Sequence, residues 1–142
     1  MRLLFIFTLS VLTAFSAQAQ QKQADKKGVA SFYHDKFEGR LTSTGEVFDN
    51  DKFTAASNTL KLNTYVKVTN LSNGEVVYVR INDRMNKTNQ RLIDLASVAA
   101  KKLNFHENGI ADVKVEIVPE EEGRCGILAQ REMQQSAPVN KL

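Results

Sequence analysis

The chain has 142 residues, of which 42% are hydrophobic and 25% are charged, as expected of one soluble globular domain. Its formal net charge is only +3, and the basic residues are scattered along the chain, so we do not expect nucleic acid binding. Cys125 is the single cysteine, which excludes an internal disulfide and leaves stabilisation of the fold to the core.

The first 19 residues have the pattern of a secretory signal peptide. A short charged start, Met1-Arg2, precedes an apolar run and a small-residue cleavage site that ends at Ala19. The apolar run is shorter than a comfortable membrane span, and no other follows it. No cysteine lies at the cleavage site. We therefore expect export to the periplasm or cell envelope without a lipid or membrane anchor, followed by a flexible polar spacer at residues 20–27.

The folded part is predicted to run from residue 28 to residue 119. Residues 28–33, GVASFY, predict a first strand because aromatic residues close an alternating segment. A long loop rich in Gly, Thr and Asp follows, with a short strand expected at residues 46–48. Loops of this length are uncommon in compact domains and are often functional. Residues 53–57, FTAAS, form a second short apolar segment.

A hairpin at residues 64–84 dominates the middle of the chain. The apolar residues of its strands alternate with polar ones and share one face: Val66, Val68, Val77, Val79 and Ile81. Asn73-Gly74 supplies the pair of positive-φ residues that a tight hairpin turn needs. Continuing the alternation by two residues places Asp83 on the apolar side.

The predicted position of Asp83 gives it two interpretations. A carboxyl that is partly removed from water holds its proton more readily, which a general acid requires. Alternatively, Asp83 forms an ion pair with Arg84 or caps a turn, since structural pairs also perturb acids.

The remaining elements complete a small β-barrel. Residues 92–93 predict a brief buried strand, and Asp94 is expected to cap a helix whose apolar residues recur at helical spacing: Leu95, Val98, Ala99 and Leu103. Residues 111–118 alternate as a strand that Pro119 stops. Residues 120–142 are poor in apolar side chains and predict a disordered tail. Five or six short strands with one helix favour a barrel over a parallel α/β sheet.

Three stretches of this sequence, taken together, resemble the RlpA-like (rare lipoprotein A) double-psi β-barrel domain. They are residues 28–60, 66–84 and 91–103, and they carry four linked motifs in order: G-x-A-S-[FWY]-Y, G-R-x-T-x-x-G-E-x-F, T-N-L-x-N-G and R-I-N-D-R. The resemblance implies a six-stranded barrel over residues 28–119 with a groove across one face. It also implies the activity of the family's septal lytic transglycosylases, which cleave peptidoglycan glycan strands.

In such barrels an Asp at the end of a strand serves as the acid, and that position is Asp83. The family's second acidic position falls on Glu46, which would orient substrate or act on Asp83 as a nearby like charge. Without the resemblance, Glu46 is a solvated loop carboxylate. Cleavage of a glycosidic bond requires protonation of the leaving oxygen. One acid that later acts as base suffices when the muramic acid's own hydroxyl closes an anhydro ring.

Four further residues are predicted to contact substrate. Tyr33 can stack on a sugar ring, and Arg40 and Arg84 can hydrogen-bond a glycan or its lactyl carboxylate. Ser57 stands in TAAS, where the family often has His in T-A-A-H. The alternative for Arg84 is an ion pair with a neighbouring acid.

Departures from the family pattern leave other functions open. The family's enzymes commonly read N-D-R-G-P-F, whereas this chain has Met85 and Asn86 after Arg84. Together with Ser57, these residues favour a non-catalytic peptidoglycan-binding or expansin-like wall module as the alternative. A third interpretation is a scaffold that binds cell-division or envelope proteins through residues 120–142. His34 and His106 lack partners at metal-ligand spacing, so we expect no metal and no cofactor.

Overall fold

The computed structural model describes residues 23–138, and within them six strands close into a barrel. Around the barrel the strands follow the order β1-β5-β2-β4-β3-β6. The β1–β5 and β2–β4 pairs are parallel and the other pairs are antiparallel. The bounds are β1 (Lys26–Phe32), β2 (Thr54–Ala56), β3 (Tyr65–Asn70), β4 (Val76–Asp83), β5 (Ile93–Leu95) and β6 (Ala111–Val118). The predicted six-stranded barrel is confirmed.

Several predicted boundaries need correction. Strand β1 begins at Lys26, inside the predicted spacer, because residues 26–30 pair with β6. The strand expected at residues 46–48 is a single bridge between Leu41 and Val47. The predicted signal peptide at residues 1–19 lies outside the described residues.

The predicted hairpin is formed by β3 and β4, and its apolar face fills the barrel. Val66 pairs with Val79 and Val68 with Val77, and all four side chains are fully buried. The turn is not the tight one predicted. Residues 71–75 connect the strands, and Gly74 has a φ of +76° whereas Asn73 is outside the left-handed region.

Strand β4 departs from regular alternation just before Asp83. Its register against β2 passes from Ala55–Ile81 to Ala56–Asp83, so Asn82 is an extra residue. Such a bulge changes the direction in which the next side chain points. Asn82 is consequently buried, with 3% of its surface exposed, and Asp83 is only partly buried. The prediction that Asp83 continues the apolar face is therefore wrong.

The short helix α1 (Ser97–Lys102) starts two residues later than predicted and has a different cap. Asp94 does not cap it, because its carboxylate is bound by Arg91 at 2.8 and 3.0 Å. Asn50, from the long loop, accepts a hydrogen bond from the Ser97 N–H at 3.0 Å. The loop is thereby tied to the start of α1.

The prediction of a disordered tail is wrong for most of its length. Residues Glu120–Ser136 form a second helix, α2, which packs on β3 and β4. Three glutamates in its first turn complement the positive end of the helix dipole. Cys125 is exposed on this helix. No helix within residues 23–138 is long and apolar enough to cross a membrane.

Two glycines and a glutamine allow α2 to lie directly on the barrel. A Cβ on Gly123 would lie 2.3 Å from Tyr65, and one on Gly126 would lie 2.5 Å from the Tyr78 ring. Farther along, the Gln130 amide accepts from the Tyr78 N–H at 2.6 Å and donates to the Tyr78 carbonyl at 2.9 Å. Since β2 pairs with β4 only from Arg80 onward, Gln130 replaces the missing strand there.

Candidate active site

Asp83 lies at the end of β4 and accepts four hydrogen bonds, unevenly divided between its two oxygens. Its Oδ1 accepts from the Ser43 N–H at 3.0 Å, the Ser43 hydroxyl at 2.9 Å and the Arg84 N–H at 2.8 Å. Its Oδ2 accepts from the Tyr33 hydroxyl at 2.6 Å. Among the described residues no Lys or Arg side chain forms an ion pair with Asp83.

This division determines which oxygen can carry a proton. Two of the donors to Oδ1 are backbone N–H groups, which can only donate. The Tyr33 hydroxyl can either donate to Oδ2 or accept from it, so a proton on Oδ2 costs no hydrogen bond there. Burial, together with the hydrogen bond to Asp83 and its charge, raises the pKa of Tyr33. The phenol therefore keeps its proton at ordinary pH.

Asp83 opens onto a groove of about 530 Å³, within the range of small-ligand sites. Its residues supply aromatic faces, basic groups and polar groups of the loop that follows Asp83. They are Phe32, Tyr33, His34, Lys36, Phe37, Asp83, Arg84, Met85, Asn86, Asn89, Arg91 and Asp94. A polar polymer with apolar ring faces, such as a glycan, suits this lining.

A tight turn at residues 42–46 brings Ser43 to the groove. The Gly45 N–H donates to the Thr42 carbonyl at 2.9 Å, and Gly45 has a φ of +83°, which a residue without a Cβ adopts readily. The Thr44 N–H donates to the Asn82 carbonyl at 3.2 Å. The bulge in β4 therefore anchors the turn that holds Asp83.

Glu46, at the other end of this turn, is bound by Arg80. The guanidinium donates to both carboxylate oxygens, at 2.7 and 2.5 Å, and the Thr44 hydroxyl adds a bond at 2.7 Å. The hydrogen bonds from Arg80 are the main reason that the pKa of Glu46 falls to about 2. Glu46 is not among the groove-lining residues, so the structure does not bring the two predicted carboxylates into one groove.

Comparison with known proteins shows the family. Residues 25–115 match the family model described as "Lytic transglycolase". This chain belongs to the RlpA-like double-psi β-barrel family. It is 47% identical over 97 residues to the endolytic peptidoglycan transglycosylase RlpA of Haemophilus influenzae, a match covering 68% of this chain and 34% of that protein. With the RlpA of Pseudomonas aeruginosa it shares 53% identity over 89 residues, 63% of this chain and 26% of that one. The chain spans about a third or less of the length of these relatives.

Solved structures of low sequence identity share the fold of this RlpA-like chain. A Streptomyces papain inhibitor superposes with a TM-score of 0.57 at 20% identity, over 70% of this chain and 98% of its own. A Clavibacter michiganensis expansin, solved with cellohexaose, gives a TM-score of 0.55 at 17% identity, over 68% and 51% of the two chains. At these identities the likeness concerns the fold alone.

The structure separates the four residues that were predicted to contact substrate. Tyr33 and Arg84 line the groove, but the Arg84 guanidinium donates to the carbonyls of Ser57 and Leu60 and pairs with no described acid. Arg40 lies beside the groove, 5.3 Å from the Phe37 ring centroid. Ser57 is fully buried, and its hydroxyl donates to the Leu92 carbonyl at 3.1 Å. Its burial contradicts the prediction that Ser57 contacts substrate.

Sequence reasoning missed two residues of this RlpA-like site. Ser43 gives two of the four hydrogen bonds to Asp83, but a serine in a Gly- and Thr-rich loop carries no pattern that marks it. Asn82 is buried beside Asp83, and its Oδ1 has no hydrogen-bond partner among the described residues. The R-I-N-D-R motif contains Asn82, and only the bulge shows that it turns inward.

The two histidines make only local contacts among the described residues. The His34 ring accepts from the Lys36 N–H at 3.3 Å, and His106 stacks on Phe32 with ring centroids 4.3 Å apart. Within residues 23–138, no three His, Cys, Asp or Glu side chains cluster as a metal site would require.

Proposed function

We propose that this chain is an endolytic peptidoglycan lytic transglycosylase in which Asp83 is the acid and then the base. The observation that carries the proposal is the Asp83 carboxylate, which opens onto the groove and whose Oδ2 has, among the described residues, only the Tyr33 hydroxyl as a hydrogen-bond partner, a group that can donate or accept. The names of its relatives, 47% and 53% identical, support the substrate and the reaction.

In the proposed reaction, protonated Asp83 gives the proton on Oδ2 to the glycosidic oxygen next to a muramic acid residue. The bond from that oxygen to C1 breaks, and positive charge develops on the sugar ring as in other glycosidic cleavages. The C6 hydroxyl of the same sugar attacks C1 and releases its proton to the Asp83 carboxylate. One glycosidic bond is exchanged for one anhydro bond, no water is consumed, and Asp83 regains its proton.

Neighbouring residues have supporting roles in this proposal. The Tyr33 hydroxyl donates to Oδ2 when the carboxylate is ionised and accepts from it when Oδ2 carries the proton. Ser43 and the Arg84 N–H hold Oδ1 in place through hydrogen bonds. Glu46 positions the turn that carries Ser43, through its ion pair with Arg80. We assign Arg40 to the lactyl carboxylate, because it lies over the aromatic edge of the groove. The Tyr33 ring, which packs against Phe37, would contact a sugar ring.

A second function, non-catalytic binding of peptidoglycan, is favoured by one observation. Four donors converge on Asp83, and donors of this kind also stabilise a permanently ionised group that only binds. Burial of Ser57 means that this position offers the groove no replacement for an imidazole.

We further propose that the protein works in the cell envelope. Its substrate lies there, and residues 1–19 have the composition of an export signal. Cell-division or envelope proteins at the septum are the proposed partners. Fusing residues 1–19 to a reporter that functions only outside the cytoplasm tests export, which should be lost when Arg2 and the apolar run are replaced.

Product analysis distinguishes the two functions. Purified protein is incubated with peptide-stripped glycan strands, and the products are analysed by mass spectrometry. The enzyme proposal predicts soluble fragments with anhydromuramic ends, which Asp83→Asn should not release. The binding module predicts co-sedimentation with sacculi and no fragments from either protein. Fragments with ordinary reducing ends would contradict the transglycosylase mechanism, because they require water as the acceptor.

A further inference from the structure

A second groove, between α2 and the barrel, is not used by the proposed reaction. It has a volume of about 420 Å³ and is lined by Lys52, Phe53, Thr54, Tyr65, Arg80, Arg124, Ile127, Leu128 and Arg131. None of these residues lines the Asp83 groove, so the two grooves can be occupied at the same time. We name it the α2 groove.

The α2 groove has basic residues on both walls. Lys52 and Arg80 come from the barrel side, and Arg124 and Arg131 come from the helix. Glu46 and Glu120 pair with Arg80 and Arg124 at 2.5 Å each. Within residues 23–138, Lys52 and Arg131 form no ion pair. The groove therefore has more positive charge than Glu46 and Glu120 neutralise.

Most of the remaining lining is aromatic or aliphatic. Phe53 is buried at the barrel surface, Tyr65 and Ile127 are partly buried, and 57% of the Leu128 surface is exposed. A free phosphate or sulfate would leave this surface uncovered, and an uncharged apolar ligand would leave the cations without partners. A ligand that combines carboxylates with a bulky apolar side chain satisfies both.

We propose that the α2 groove binds an extended acidic peptide segment of a partner protein, with an apolar anchor residue flanked by carboxylates. Successive side chains of an extended peptide point in opposite directions, so its acidic residues can reach the basic groups of the helix and of the barrel. The apolar anchor then covers the exposed surface of Leu128. Charge complementarity of this kind sets orientation and selects partners. The proposal does not depend on catalysis by Asp83.

The test titrates the full-length chain with a six-residue peptide, acetyl-Ser-Glu-Leu-Phe-Glu-Ser-amide, and follows amide shifts by NMR. A matched peptide carries Gln in place of both Glu residues. We expect shifts at α2 and at residues 52–54, with the acidic peptide binding about tenfold more tightly than the neutral one. The difference should shrink as salt is added, because exposed charges are screened. Equal binding of the two peptides would overturn the proposal.

Charge-reversal variants test whether the basic residues of the α2 groove bind the acidic peptide. Lys52→Glu combined with Arg131→Glu should weaken acidic-peptide binding by about tenfold or more. The control is Lys61→Glu, an exposed lysine outside both grooves, which should bind as the wild type does. Circular dichroism and release of anhydromuramic fragments verify that each variant is folded. If the double variant binds like the control, the α2 groove is not the peptide site.

The same titration with peptide-stripped glycan strands tests whether a glycan, instead of a peptide, occupies the α2 groove. The proposal predicts shifts around Asp83 and none in the α2 groove. Glycan-induced shifts in the α2 groove that disappear in the double variant would make it part of the glycan path and would overturn the peptide assignment. Leu128→Gln should also weaken peptide binding, because the anchor loses its apolar contact, whereas binding unaffected by it would contradict the apolar half of the argument.

Discussion

The Asp83 groove and the α2 groove are both connected to the turn at residues 42–46, but their charged groups have different partners. One has a carboxylate surrounded by neutral donors. The other has four basic side chains, two of them neutralised by carboxylates. The turn contacts both sides, since Ser43 binds Asp83 and Glu46 binds Arg80.

The contrast shows how one turn can hold two carboxylates through different partners. Arg80 lowers the pKa of Glu46 to about 2 through a bidentate ion pair, and a carboxylate fixed as an anion cannot serve as an acid. Asp83 has a hydroxyl at Oδ2 instead of a cation, so it can exchange a proton. The partner, more than the position in the sequence, separates the structural carboxylate from the proposed catalytic one.

The largest expected effect is that of Asp83→Asn, which acts on its own groove alone. An amide cannot transfer the proton, so the rate of fragment release should fall by about 10²- to 10⁴-fold, the usual contribution of general acid–base catalysis. Acidic-peptide binding in the α2 groove should not change. Measuring both quantities on one preparation tests the separation. A residual rate within threefold of wild type would contradict the role of Asp83.

Gly126→Ala should lower the stability of the fold without changing the reaction at Asp83. On an isolated helix this change stabilises by about 0.5–1 kcal/mol. Here the new Cβ would lie 2.5 Å from the Tyr78 ring, and overpacking of this kind costs about 1–3 kcal/mol. We therefore expect a lower free energy of unfolding in urea and an unchanged rate of fragment release per folded molecule. A gain in stability would mean that α2 does not pack on β4.

The sequence predicted the barrel well because each strand carries local information. The alternation of Val66, Val68, Val77 and Val79 predicted a buried face, and the linked motifs indicated the family. Helix α2 could not be recognised in this way. Its two glycines and many charges are typical of a disordered tail. The apolar surface on which it packs belongs to Tyr65 on β3 and Tyr78 on β4.

The site itself was predicted only in part, for a similar reason. The motif located Asp83, but simple alternation turned it toward the core. The bulge that redirects it arises from the pairing of β4 with β2, which is more than 20 residues away in the chain. Ser43 became visible only when the fold placed it at Oδ1. Contacts between distant segments therefore account for each of these errors.

Tyr33→Phe tests the proposed proton exchange at Oδ2. The phenyl ring retains the packing of Tyr33 against Phe37 and Phe48, and only the hydroxyl is lost. The hydroxyl can donate to the negative charge that develops on Oδ2 as the proton leaves in the transition state, and a hydrogen bond to a charged group contributes about 1.5–3 kcal/mol, so we expect a rate reduction of about tenfold or more. The ionised carboxylate loses a donor, and the optimum of the pH–rate profile should therefore move upward. A slower variant with an unchanged profile would assign Tyr33 to substrate binding alone.

The smallest effect should come from Glu46→Gln, through acid stability. The pKa of Glu46 is lowered from its ordinary value of 4.5 to about 2 by Arg80. Its ion pair therefore stabilises the folded state above about pH 4.5, and this contribution is lost as the pH falls toward 2. Because 42% of the Glu46 side chain is exposed, we expect about 1 kcal/mol or less. In urea unfolding at pH 7, the free energy of unfolding of the wild type should exceed that of the variant, and at pH 3 this difference should be smaller.

The control for Glu46→Gln is Glu75→Gln, an exposed carboxylate in the β3–β4 loop. It removes the same charge without removing the ion pair, so its free energy of unfolding should follow that of wild type at both pH values. A gap for Glu46→Gln that is equal at pH 7 and pH 3 would mean that Arg80 does not hold Glu46 as an anion. The electrostatic difference between Glu46 and Asp83 would then disappear, and the assignment of Glu46 as a structural carboxylate would be wrong.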